Sequence, residues 1–130
     1  MKRRTARETA LQALFQVDVS EIEPNEAIQH ALDGKDSDEF MEKLVYGTIQ
    51  YQEELDMLII PHLVNWTIDR LANVDRGILR MSAYELKYEQ EIPSSVTLDE
   101  AIELAKKFGD DQSSKFVNGV LSNIKNDLEK

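Results

Sequence analysis

Apolar residues recur at helical spacing along almost the whole chain, and no stretch shows the strict alternation of a half-buried strand. The pattern predicts an all-α protein. Ala10, Leu11, Leu14, Phe15 and Val17 form a first buried stripe, and Thr5-Ala-Arg-Glu8 ahead of them has the form of a capping box, which places the helix start at about Ala6. Lys2, Arg3 and Arg4 then precede the helix as a free arm. Pro24 suits a first helical position, Ala27, Ile28, Ala31 and Leu32 supply the next apolar face, and Gly34 suits its stop. Asp36-Ser-Asp-Glu39 opens a longer helix with Phe40, Leu44, Val45, Thr48, Tyr51, Leu55, Leu58 and Ile59 on one side, until Pro61 breaks it.

After a short turn through Trp66, Thr67 suits the cap of a single turn reaching Leu71. Asn73 or Asp75 opens a helix carrying Ile78, Leu79, Met81, Ala83, Leu86 and Tyr88; Ile92-Pro93 is its limit, because the residue before proline disfavours the α region. Thr97-Leu-Asp-Glu100 is a second capping box leading into Ala101, Ile102, Leu104, Ala105 and Phe108, with Gly109 as the stop. Asp111 or Ser113 caps the last helix, whose core face is Phe116, Val117, Val120, Leu121, Ile124 and Leu128. The expected architecture is a compact, antiparallel-leaning bundle of about seven helices, one domain over residues 1–130 with short connections and no linker, repeat or low-complexity tract.

Composition removes several function classes. A chain of 130 residues that is 42% hydrophobic can build one core but not two. Without cysteine it has neither a disulfide framework nor a thiolate metal site, which fits a reducing cytoplasm, and His30 and His62 lie in unrelated contexts, so no metal is expected. No run approaches the ~18 apolar residues of a membrane span, and Glu8 and Gln12 follow the basic start where a signal peptide would be apolar. A soluble protein that is not exported is expected. There is no phosphate loop, Gly-x-Gly-x-x-Gly or Gly-x-Ser-x-Gly. The acidic pairs Glu53-Glu54, Asp99-Glu100 and Asp110-Asp111 fit solvated faces or first-turn positions that the helix dipole favours. No enzyme, catalytic residue or cofactor is expected.

Charge changes the picture. The formal net charge is -10, yet the first ten residues set Lys2, Arg3, Arg4 and Arg7 against Glu8 alone. That end is positive, and the main acidic block runs from Asp18 to Asp56. Cations near a helix N-terminus oppose its dipole, so these residues serve folding poorly and an anion well: unpaired first-turn amides and guanidinium groups together make a phosphate site. A solvated tail is the alternative. A second basic point, Lys106-Lys107 with Lys115, brackets a loop near Gln112, Ser113 and Asn118, residue types that read base edges in single-stranded RNA. Lysines at a helix C-terminus also suit the dipole.

Five blocks, in order and spacing, carry a resemblance: Arg4-Thr-Ala-Arg-Glu-Thr-Ala-Leu-Gln-Ala-Leu-Phe15, Trp66-Thr-Ile-Asp-Arg-Leu71, Val74-Asp-Arg-Gly-Ile-Leu-Arg80 with Tyr84-Glu-Leu86, Asp99-Glu-Ala-Ile-Glu-Leu-Ala-Lys106, and Lys115-Phe-Val-Asn-Gly-Val-Leu121. The chain resembles the NusB family of transcription antitermination factors over almost its whole length. The resemblance implies an all-helical NusB fold of two small sub-bundles and a non-enzymatic role. It implies pairing with NusE, a small-subunit ribosomal protein, binding of boxA RNA in nascent ribosomal transcripts, and action within the RNA polymerase antitermination complex. The family's RNA-binding residues carry over to Lys2, Arg3, Arg4, Arg7 and Phe15, and to the second basic region through Lys107, Gln112, Lys115 and Asn118. Phe15 stands where the family often has tyrosine, and Gln112 where relatives often have an acid.

For the protein partner the resemblance points to Asp69, Asp75, Arg76, Arg80 and Tyr84. A buried Arg80–Glu85 brace is the structural alternative for that helix. The active complex is expected to hold one copy, with self-association of the free protein, as a homodimer, left open. Two other readings stand beside this one. The same fold resembles the N-terminal domain of a ribosomal RNA 5-methylcytosine methyltransferase, although this chain ends at Lys130 with no cofactor domain and no catalytic cysteine. The other is a helical protein–protein adaptor without RNA binding.

Overall fold

A computed structural model describes residues 1–129, which form seven α-helices, two single 3₁₀ turns and, among the described residues, no strand. In chain order these are α1 (Arg3–Ser20), α2 (Pro24–Leu32), α3 (Glu39–Gln50), α4 (Gln52–Ile59), 3₁₀ turns at Ile60–His62 and Ile68–Arg70, α5 (Asn73–Tyr88), α6 (Ser94–Phe108) and α7 (Ser113–Leu128). The all-α expectation holds. Several stops and starts follow the local chemistry: Pro24 is at the start of α2, Asp33 and Gly34 turn left-handed after it (φ 50° and 83°), and Asp38 caps α3 by accepting from the Met41 amide at 3.0 Å.

The first capping box is overruled. Helix α1 begins at Arg3, with Lys2 as its cap residue and the Lys2 carbonyl accepting from the Ala6 amide at 2.8 Å. The basic residues are therefore not a free arm but the first turn itself, held by tertiary contacts that outweigh the local signal. The Arg3 guanidinium lies 3.9 Å from the centre of the Phe40 ring, and the terminal amine of Met1 is 3.7 Å from Asp38. The second box fails for the same reason: α6 starts three residues earlier than Thr97, directly after Pro93, while Thr97 and Glu100 are engaged elsewhere. The helix expected from residue 39 to 59 is two, separated at Tyr51, which leaves helical geometry (φ -104°, ψ 19°) and stacks its ring on Tyr88 at 4.4 Å.

Helix α1 packs on α2 and α3, and α5 packs on α4, α6 and α7; α1 and α3 also meet α5, so the two sub-bundles share α5 as a common wall. That role explains why α5 is buried on more than one face, from Arg76 through Glu85. Helix α3 meets α5 at Gly47, where an added Cβ would overlap the Tyr84 ring. The core runs continuously through Met41, Leu44, Leu55, Leu79, Met81 and Leu121. One member of the predicted first stripe is missing from it. Phe15 is 41% exposed, because its position turns it toward the edge of α1 rather than toward α2 and α3.

Candidate nucleic-acid interface

Positions 4, 8, 12 and 15 fall on one face of a helix, and in α1 they place Arg4, Glu8, Gln12 and Phe15 along an outward stripe beside α6. Arg4 donates from Nε and Nη2 to Glu100 of α6 at 3.1 and 2.7 Å, and Lys107 donates to Glu8 at 3.0 Å. The Arg4 hydrogen bonds hold the Glu100 carboxyl below its ordinary range. Farther along, Phe15 and Phe108 line the same groove.

The corner between α6 and α7 is set by a reciprocal hydrogen-bond pattern. The Asp110 amide donates to Ser113 Oγ at 3.0 Å, and Asp110 Oδ1 accepts from the Gln112 amide at 2.8 Å and from Ser113 Oγ at 3.3 Å. Ser113 is buried under the corner, which leaves Gln112, Lys115 and Asn118 exposed around the first turns of α7. Lys2, Arg3, Arg4, Lys107, Lys115, Gln112, Asn118 and Phe15 are thus exposed, on α1, α6 and α7 or, for Lys2 and Gln112, at the residue just before a helix.

Arg7 does not. Expected with the arm, it is buried and donates from Nε and Nη2 to Glu85 of α5 at 2.9 and 2.8 Å, with Nη1 3.7 Å from Glu100. The Thr97 hydroxyl adds a bond to Glu85 at 3.3 Å. The brace foreseen between Arg80 and Glu85 is therefore made by Arg7 instead. Residues five apart on a helix point about 140° away from each other, so Arg80 and Glu85 leave α5 in different directions.

Arg80 pairs with Asp56 of α4 at 2.8 and 3.0 Å. Arg76 donates to Asp18 at 2.7 Å, to the carbonyls of Ile68 and Leu71 at 3.1 and 3.0 Å, and to Asn73. Tyr84 is buried and its hydroxyl donates to Glu89 at 3.4 Å; burial, then the Glu89 charge, pushes its ionisation up. In the free chain these three residues, expected at the partner surface, are engaged in internal bonds. Asp69 is exposed on the second 3₁₀ turn. Asp75 is half-buried: its Oδ1 is enclosed without a hydrogen-bond partner, and burial raises its carboxyl, partly offset by the Ser113 hydroxyl.

Two features went unread in the sequence. A groove of about 460 Å³ lies between α1, α3 and α5, with Leu14, Phe15, Ile49, Val74 and Phe108 among its walls. Met57, Ile60, Val64 and Trp66 stand exposed from the end of α4 to the second 3₁₀ turn. The groove has no linear signature. The exposed apolar stretch has one, a tryptophan in a proline-bounded turn away from any helical stripe. Among the described residues no cluster of His, Asp and Glu could hold a metal ion, and no helix is long and apolar enough to cross a membrane. His62 instead pairs with Asp127 at 2.6 Å.

Residues 4–126 match the model of the NusB family. The transcription antitermination protein NusB of Bacillus licheniformis is 69% identical over 129 residues, which cover 99% of this chain and 100% of that protein. Its counterpart in Bacillus subtilis (strain 168) is 64% identical over 130 residues, 100% of this chain and 99% of the relative. Among solved structures, T. maritima NusB aligns with a TM-score of 0.90 at 36% identity, covering 97% of this chain and 92% of that one. A structure of antitermination factors NusB and NusE in complex with double-stranded RNA aligns with a TM-score of 0.87 at 33% identity, covering 96% of each chain.

Proposed function

This chain belongs to the NusB family, and on that premise we propose that it is a cytoplasmic transcription antitermination factor. In this reading it binds boxA RNA of nascent ribosomal transcripts together with ribosomal protein NusE and supports processive transcription by RNA polymerase. The observation that supports the reading is the exposure of Arg4 and Lys107, linked across α1 and α6 through Glu100 and Glu8, and of Gln112, Lys115 and Asn118 around the start of α7, in a body whose net charge is -10. Lys2, Arg3, Arg4, Lys107 and Lys115 meet phosphates, Gln112 and Asn118 meet base edges, and Phe15 offers a ring for stacking. Arg7 acts one layer down, fixing α1 against α5.

The acidic remainder of the surface repels RNA and attracts a basic protein. Asp69 and Asp75 are the contacts assigned to NusE, with Trp66 and Val64 as neighbouring apolar surface; Arg76, Arg80 and Tyr84 shape that side from within. No step of this function asks for a catalytic residue, and one copy acts in the complex. A gel shift with boxA-containing RNA tests it. Weak binding alone and tighter binding with NusE are expected, whereas a NusE complex that retains no RNA would leave a protein–protein adaptor.

A further inference from the structure

Three cations of the exposed edge are already occupied. Arg4 holds Glu100 through two hydrogen bonds, Lys107 holds Glu8 at 3.0 Å, and Lys106 lies 3.9 Å from Glu103. In the first pair the base projects and the acid sits beneath it: the Arg4 side chain is 61% exposed and that of Glu100 15%. A phosphate can therefore reach Arg4 from solvent, but it meets a carboxylate directly behind the same guanidinium. Two anions on one cation repel, so RNA gains the full attraction of Arg4 only if Glu100 gives it up.

Glu100 has a second cation to fall back on. Its Oε1 is 3.7 Å from Arg7 Nη1, and Arg7 is itself anchored by Glu85. The four charges alternate from the buried wall of α5 to the surface: Glu85, Arg7, Glu100, Arg4. When Arg4 swings outward, Glu100 keeps Arg7 as its partner and is not left as an unpaired charge. Arg4 is the mobile end of this chain and Arg7 the fixed one.

We propose that Glu100 and Glu8 set the RNA affinity of this edge: they hold Arg4 and Lys107 in the free protein, and RNA binds by exchanging each carboxylate for a phosphate. The inference rests on the RNA-binding reading above. The basic partner in each pair is exposed, so the Arg4 and Lys107 contacts themselves contribute little to folding. At Arg4 and Lys107 the pairing discriminates against polyanions that offer charge alone, because phosphate attraction there must first displace a carboxylate. RNA that also supplies base contacts or arrives with the partner overcomes that barrier.

The test uses the full chain, a boxA-containing RNA and a scrambled RNA of equal length, titrated at low salt with and without NusE. Glu100→Gln removes the competing charge with little change of shape, and Glu8→Gln does the same for Lys107. Each is expected to tighten RNA binding about three- to fivefold, the scale of an exposed ion pair. The Glu100→Gln gain disappears in an Arg4→Ala background and the Glu8→Gln gain in Lys107→Ala. Thermal melting verifies folding, and Glu8→Gln decides the matter if Glu100→Gln does not fold. Folded glutamine variants that bind RNA no better than the parent overturn the exchange, provided Arg4→Ala and Lys107→Ala weaken binding. If those alanine variants bind as the parent does, the RNA edge itself is misassigned, and the exchange falls with it.

Discussion

Arg7 of α1 and Glu85 of α5, 78 positions apart in the chain, form a buried two-pronged ion pair at 2.9 and 2.8 Å. A basic residue that composition assigns to an exposed end is thereby the fastener between the first helix and the shared wall. Removing one partner leaves the other charge enclosed, which costs about 3–5 kcal/mol. Glu85→Ala is expected to lower the free energy of urea unfolding by about that amount. A paired Arg7→Met/Glu85→Leu variant recovers most of the loss, because buried ion pairs are often replaceable by apolar residues of similar volume. An unfolding midpoint unchanged in Glu85→Ala would contradict the brace.

Gly47 allows α3 to lie against the Tyr84 ring with no room for a methyl group. Gly47→Ala is expected to destabilise by about 1–3 kcal/mol through overpacking, despite alanine's better helix propensity. Adding Tyr84→Ala opens the space, so the double variant is expected to lose less than the sum of its parts. Additive losses in thermal unfolding would place the crowding elsewhere.

Two carboxyls give opposite pH signatures. Burial raises Asp75, so the folded chain keeps its proton to higher pH than the unfolded chain; the stability this gives is full below the ordinary value and lost as pH rises through the folded one. Asp75→Asn is expected to raise the melting temperature at neutral pH. Glu100 is lowered by its hydrogen bonds to Arg4, so its contribution is full above the ordinary value of 4.5 and lost as pH falls through the folded value. Glu100→Gln is expected to flatten the acid limb of the stability curve. Melting temperatures recorded across acid and neutral pH check both signs.

Asp69, exposed on the second 3₁₀ turn, separates partner binding from RNA binding. Its exposed carboxylate suits a cationic donor from a basic protein. Asp69→Lys and, to a lesser degree, Asp69→Asn are expected to weaken the NusE complex, the charge reversal at least tenfold, the scale of reversing one close charge pair, while leaving the basal RNA affinity of the free chain unchanged. Calorimetry with NusE, beside an RNA titration of the same variants, reads the two effects apart.

The helices were legible because their apolar positions repeat at a local period, and Pro24, Asp38 and Gly109 punctuate them by chemistry confined to a few residues. Their exact starts were less so. Thr5 and Thr97 both head sound capping boxes, but Arg4 with Glu100 and Glu85 with Thr97 are bonds between different helices, which a capping pattern does not contain. The exposed roles of Gln112, Lys115 and Asn118 followed from their place at a corner between two helices. Arg7, Arg76, Arg80 and Tyr84 could not be sorted into surface and interior, since their acidic partners come from other elements. Trp66 was visible in a motif, yet its exposure depends on the path of the turn that carries it.

The most direct measurement is photocrosslinking of boxA-containing RNA to the chain bound to NusE, followed by mapping of the adducts. The account predicts adducts in the segment from Lys2 to Arg4, at Phe15 and Lys107, and around the corner from Gln112 to Asn118. Adducts confined to α4 and the stretch from Pro61 to Asp69 would contradict it.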